Sequence, residues 1–184
     1  MTDLLVVAGA PGSGKTTICR LLYAELGSAF IDFGHIRQFH LDNEWSNASE
    51  REESMAFENL LSIVRNYFRH SYAPVIVTDL QDFRVQEIPI HFRHNDFVIA
   101  TLVVNDDAEL KRRVLIPERD SGYRDYASSI AWNRGIIERP AVQNEVKIDN
   151  TSADPARAVG RIRALIGEDQ IAVVSVQPPH PSPL

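Results

Sequence analysis

Two textures alternate along the chain. The runs LLVVAGA (4–10), AFIDF (29–33), PVIVTDL (74–80), FVIATLVV (97–104) and NEVKID (144–149) are short, apolar and largely β-branched. They predict strands covered on both sides. Between them the apolar positions recur at helical spacing. SEREESMAFENLLSIVRNYFRH (49–70) opens with Ser49 and Glu52, a capping-box pair, and then puts Phe57, Leu60, Leu61, Val64 and Phe68 on one stripe. KTTICRLLYAEL (15–26) predicts an amphipathic helix. DDAELKRRVL (106–115) carries Asp106 and Glu109 as a start signal with Pro117 beyond it, and DPARAVGRIRALIG (154–167) runs from Asp154 and Pro155 to Gly167. Strand and helix in alternation predict an α/β fold with a parallel sheet and helices on both faces. IAVVSV (171–176) is read as an added edge strand or a contact with another chain, and the proline-rich QPPHPSPL (177–184) as a disordered tail.

Composition narrows the partners. The chain has 184 residues, 44% hydrophobic and 24% charged, which suits one globular domain over residues 1–176. A net charge of −6 gives no general attraction to nucleic acid or an anionic membrane, so an anionic ligand has to be held by local groups. The first residues lead directly into an apolar strand, without a basic leader, and no run approaches the ~20 apolar residues of a membrane span. A cytoplasmic protein is expected, as a monomer or homodimer. Cys19 is the single cysteine and is expected to pack inside the first helix. The six histidines show no metal-ligand spacing, and the pair His91 and His94 is read as solvated.

The junction of the first strand and helix carries the chemistry. In GAPGSGKTT (9–17), Gly9, Gly14, Lys15 and Thr16 satisfy G-x-x-x-x-G-K-[ST], with a strand before and a helix after. Such a loop turns successive N–H groups toward phosphate oxygens at a helix N-terminus. Lys15 then offsets β- and γ-phosphate charge, and Thr16 ligates Mg²⁺. Gly9, Pro11, Gly12, Ser13, Gly14, Lys15, Thr16 and Thr17 form the expected nucleotide-binding set. Two acids end neighbouring strands. Asp32, in FIDFGHIRQ, falls on the edge where open α/β sheets bind ligands, or else caps the next helix. Asp79 follows a hydrophobic run and is read as holding a water of the Mg²⁺ shell, or as a turn residue. Arg37 is placed either on an acidic group of an acceptor or in solvent.

GAPGSGKTT resembles the Walker A loop of the nucleoside monophosphate kinases and their small-molecule-phosphorylating relatives, including the shikimate kinase and chloramphenicol phosphotransferase families. The resemblance extends to Asp32, Asp79, the arginine-rich segment after the fourth strand, and IDNTSADPARAV (148–159). It implies a P-loop NTPase fold, with a three-layer five-stranded parallel sheet in the order 2-3-1-4-5 and a lid at about residues 112–134. The similar Asp in those kinases takes the proton of an acceptor hydroxyl, which makes Asp32 the candidate base. LQDFR (80–84) stands where nucleoside monophosphate kinases resemble DGFPR, so Asp82 and Arg84 are expected to face the acceptor. The glycine and proline of that pattern are missing here. Residues 111–139 carry seven basic and four acidic side chains. Within them Arg112 or Arg113 is placed on the base, and Arg119 and Arg124 on the phosphates, because the guanidinium fork bridges phosphate oxygens. A solvated helix face is the competing reading for each. Tyr123, Tyr126 and Trp132 are assigned to packing, and Asn150–Ser152 to the adenine edge or a plain helix cap.

These residues together imply transfer of the ATP γ-phosphate to a hydroxyl of a small-molecule acceptor, with Mg²⁺. A nucleoside or nucleoside monophosphate kinase is the nearest alternative, and a nucleotide-hydrolysing switch or regulatory ATP-binding module the next. No Asn-Lys-x-Asp-like guanine reader is present.

Overall fold

The computed structural model describes residues 2–39, 49–118 and 122–167. The segment 171–184, Arg119 and most of the stretch between Phe39 and Met55 therefore lie outside the described residues. Five strands form one parallel sheet in the order β2-β3-β1-β4-β5, as the resemblance implied. They are β1 (Leu4–Gly9), β2 (Ala29–Asp32), β3 (Val75–Thr78), β4 (Phe97–Val103) and β5 (Glu145–Asp149). The helices are α1 (Lys15–Leu26), α2 (Phe33–Arg37), α3 (Glu50–Arg69), α4 (Asp82–His91), α5 (Asp107–Val114), α6 (Tyr126–Glu138) and α7 (Pro155–Leu165).

In β1, β3 and β4 the apolar runs are continuous because each of these strands feeds two cores. Leu4, Val6 and Ala8 of β1 enter one cluster with Phe57, Leu60, Val64 and Ile88 from α3 and α4. Leu5 and Val7 enter the other, with Ile18, Leu22, Val159 and Ile162 from α1 and α7. The alternation of side chains along a strand divides them, and helices on both faces keep nearly every position of these three strands dry. Cys19 is buried in the second cluster, where burial pushes its thiol up to about 12 and leaves it unreactive.

The expected capping box starts α3, with Ser49 Oγ accepting from the Glu52 N–H. Two helices go beyond the sequence reading. α4 contains Pro89 in its third turn, a residue that usually argues against a helix. α6 occupies most of the second half of the expected lid, so that the segment from 107 to 138 holds two helices, Asp107–Val114 and Tyr126–Glu138. Tyr123 and Ile130 pack there against Val104, Leu110 and Val114, and the Lys111 ammonium lies 4.4 Å from the Tyr126 ring centre. Among the described residues no helix is long and apolar enough to cross a membrane.

Candidate phosphate-binding site

Because all five strands run the same way, their carboxyl ends share one edge. Gly9, Asp32, Asp79 and Asn150 are therefore brought to one side of the molecule from four separate segments. The loop between β1 and α1 depends on glycine. Gly9 has φ 137°, and a Cβ there would stand 2.5 Å from the Leu102 carbonyl oxygen. Gly12 has φ 87°, and a Cβ would meet Val114 Cγ2 at 2.8 Å. Both positions combine a left-handed backbone with a close approach that a side chain forbids. Lys15 is folded over this loop with 9% exposure, its Nζ donating to Gly9 O at 2.9 Å and Ala10 O at 3.3 Å. The same ammonium lies 3.9 Å from Asp79 Oδ1. Thr16 and Thr17 are exposed at the start of α1.

Asp79 follows β3 with φ 64°, a left-handed conformation that few non-glycine residues adopt and that Asp tolerates better than most. Its side chain is half exposed. Asp32 both caps and faces the site. Its Oδ1 accepts from the Gly34 N–H at 2.9 Å, starting α2, while Oδ2 takes no hydrogen bond from the described residues. Burial, and then repulsion by the Asp79 carboxylate, push the Asp32 carboxyl above its ordinary value. A carboxylate made more basic beside a phosphate loop is suited to accept a proton. Arg37 ends α2, half-buried.

Other expected residues have partners within the protein. Arg84 donates to both carboxylate oxygens of Glu53 (3.1 and 3.2 Å from Nε) and to Glu87 at 2.7 Å, with its guanidinium 4.5 Å from the Phe57 ring centre and 4.9 Å from that of Phe83. Asp82 accepts three hydrogen bonds from Arg139, which also spans to Glu145 with two of 2.7 Å. Arg113 is buried and donates to Glu109 Oε1, Asn150 O and Thr151 O at 2.7, 2.9 and 2.6 Å, so it braces the turn after β5 instead of projecting over it. Arg112 lies exposed against Glu109, whose carboxyl the guanidinium groups of Arg112 and Arg113 hold down at about 2. Arg124 donates to Tyr123 O at 2.9 Å and Pro117 O at 3.0 Å.

Residues outside the expected phosphate-loop set support the loop, Asn150 of the expected adenine-edge segment among them. Asn150 Nδ2 donates to Ser13 O at 2.8 Å, and Ser129 Oγ donates to Pro11 O. Asn133 pairs with Val104 twice, Oδ1 accepting from its N–H at 3.1 Å and Nδ2 donating to its carbonyl at 2.7 Å. A buried polar face on an otherwise weakly amphipathic helix was the available signal for Ser129 and Asn133. It carries no local spacing rule.

A family profile described as an AAA domain matches residues 5–136. No curated protein matches the sequence. Among solved structures, similarity extends over 92% of this chain and 96% of a sugar kinase from Janibacter sp. HTCC2649, with a TM-score of 0.67 at 16% identity. A gluconokinase from Sinorhizobium meliloti 1021 matches over 90% of this chain and 91% of its own (TM-score 0.65, 16% identity). A shikimate kinase from Bacteroides thetaiotaomicron matches over 90% and 98% (TM-score 0.61, 16% identity). At this identity the likeness is one of fold.

Proposed function

The chain belongs to the AAA domain family, and on that footing we propose that it is an ATP-dependent phosphotransferase that moves the γ-phosphate to a hydroxyl of a small-molecule acceptor. The observation that carries this reading is Asp32, half-buried at the carboxyl end of β2 on the edge that holds the phosphate loop, with Oδ1 on the Gly34 N–H and Oδ2 taking no hydrogen bond from the described residues. In the proposed step Asp32 accepts the hydroxyl proton while the freed oxygen forms a bond to the γ-phosphorus and the bond to the β-phosphate oxygen breaks, releasing ADP. Lys15 leaves the Gly9 and Ala10 carbonyls to offset phosphate charge. The donor set near it is oxygen only, a Thr16 hydroxyl and an Asp79 carboxylate, which fits Mg²⁺ shared with phosphates and water. Bound there, the ion would neutralise β- and γ-phosphate charge.

A hydroxyl acceptor is favoured over a nucleotide one because Arg84 and Asp82 are satisfied by ion pairs within the protein. The similarity to a sugar kinase, a gluconokinase and a shikimate kinase supports the same reading. The test is Asp32→Asn, which keeps size and removes the proton acceptor. Mg–ATP affinity is expected to hold within a few-fold while saturated transfer falls by roughly 10²–10⁴-fold. Wild-type transfer rates would remove Asp32 from the chemistry, and a loss confined to acceptor affinity would favour the nucleoside monophosphate kinase reading.

A further inference from the structure

A phosphate loop presents carbonyls as well as N–H groups, and a carbonyl turned toward the ligand repels it. Four loop carbonyls are engaged in this chain. Lys15 Nζ takes those of Gly9 and Ala10, Ser129 Oγ takes that of Pro11, and Asn150 Nδ2 takes that of Ser13 at 2.8 Å. The lysine is a charged group that a phosphate competes for. Ser129 and Asn150 are neutral, nearly inaccessible to solvent, and reach the loop from 118 and 137 residues away. Each donor is itself anchored. Asn133, one turn beyond Ser129, pins α6 to Val104 through two hydrogen bonds. The Asn150 N–H donates to Val103 O, and its carbonyl accepts from Arg113.

We propose that Ser129 and Asn150 are positioning residues for nucleotide binding. By engaging the Pro11 and Ser13 carbonyls they keep the loop N–H groups converged before a nucleotide arrives, so that less ordering is left to be done at binding. Ser129 also ties the loop to α6, the helix that follows the arginine-bearing connection, so that the position of this helix and the shape of the loop are set together. The inference rests on the nucleotide-binding reading of the loop.

The experiment is calorimetric titration of the full chain with Mg–ADP, for wild type, Ser129→Ala and Asn150→Ala. Loss of one buried hydrogen bond that shapes the loop is expected to weaken ADP by roughly five- to tenfold. Adenosine, which has no phosphate, is the control for Ser129→Ala, measured by ligand-observed NMR, and is expected to bind within twofold of wild type. With ATP, KM rises and kcat holds, because the lost interaction serves ground and transition states alike. If either alanine variant fails to fold, Ser129→Cys and Asn150→Asp keep the volume while weakening or reversing the donor, and the same weakening of ADP is expected. ADP affinities within twofold of wild type in folded variants, or equal weakening of adenosine by Ser129→Ala, would overturn the proposal. Wild-type protein that binds no ADP would overturn the nucleotide reading along with it.

Discussion

Arg139→Met keeps most of the arginine stem and removes the cation that joins α4 to β5. Arg139 makes five hydrogen bonds of 2.7 to 3.0 Å to Asp82 and Glu145. The Glu145 side chain has no exposed surface, and that of Asp82 is 22% exposed. Burial pushes the Glu145 carboxyl up, but Arg139, Thr101 and the Val142 N–H outweigh it, so the group lies below its ordinary value. A carboxyl depressed in this way contributes stability above its unfolded pKa of ~4.3 and loses it as pH falls through the folded value. Without Arg139 the burial dominates and the sign reverses. Glu145 is then raised, and the variant is penalised more as pH increases. Breaking a buried pair costs about 3–5 kcal/mol. Thr101 Oγ1 at 2.6 Å and the Val142 N–H at 2.8 Å remain on Glu145, which argues for the lower end. The expectation is a loss of about 3 kcal/mol at pH 7.5, or about 6–12 °C in Tm for a chain of this size. The gap to wild type narrows toward pH 5 by up to about 1.4 kcal/mol per unit as Glu145 takes up a proton. Urea unfolding at both pH values measures it, and adding Glu145→Gln recovers part of the loss at pH 7.5. A loss under 1 kcal/mol at pH 7.5, or one independent of pH, would refute the reasoning.

Lys15→Ala removes the charge that offsets the phosphates, and saturated transfer is expected to fall by at least ~10²–10³-fold; near-normal turnover by folded protein in a coupled ADP assay would sink the phosphate-loop assignment. Gly12→Ala places a methyl 2.8 Å from Val114 Cγ2 at φ 87°, so Mg–ADP affinity and Tm are both expected to drop, by about 1–3 kcal/mol in stability; wild-type values in calorimetry and thermal melts would contradict the strain argument. Arg124→Ala is expected to lower kcat more than it weakens ATP, because charge on the transferring group develops only in the transition state; an unchanged kcat would assign Arg124 to its contacts with Tyr123 and Pro117 alone.

Local rules determined the parts of this protein whose physics is local. Continuous apolar runs marked β1, β3 and β4, since a strand flanked by helices on both faces has no wet side to encode. Ser49 and Glu52 marked the start of α3 because a capping box lies within four residues. The glycines, Lys15 and Thr16 marked the phosphate loop because the turn and the helix N-terminus that grip phosphate are contiguous. The sheet order came from resemblance to a family, as hydropathy carries no record of which strands pair.

Tertiary structure decided the rest. α4 was hidden by Pro89, and α6 by burying polar Ser129 and Asn133, which serve backbone groups of the loop and of Val104 just past β4 where a core helix would carry apolar residues. Asp82 and Arg84 looked available to an acceptor until Arg139, Glu145, Glu53 and Glu87 were placed beside them. The basicity of Asp32 follows first from its burial and then from the closeness of Asp79, 47 residues later in the chain. Burial and charge pairing are sums over neighbours in space, and a linear sequence names the residues without saying which become neighbours.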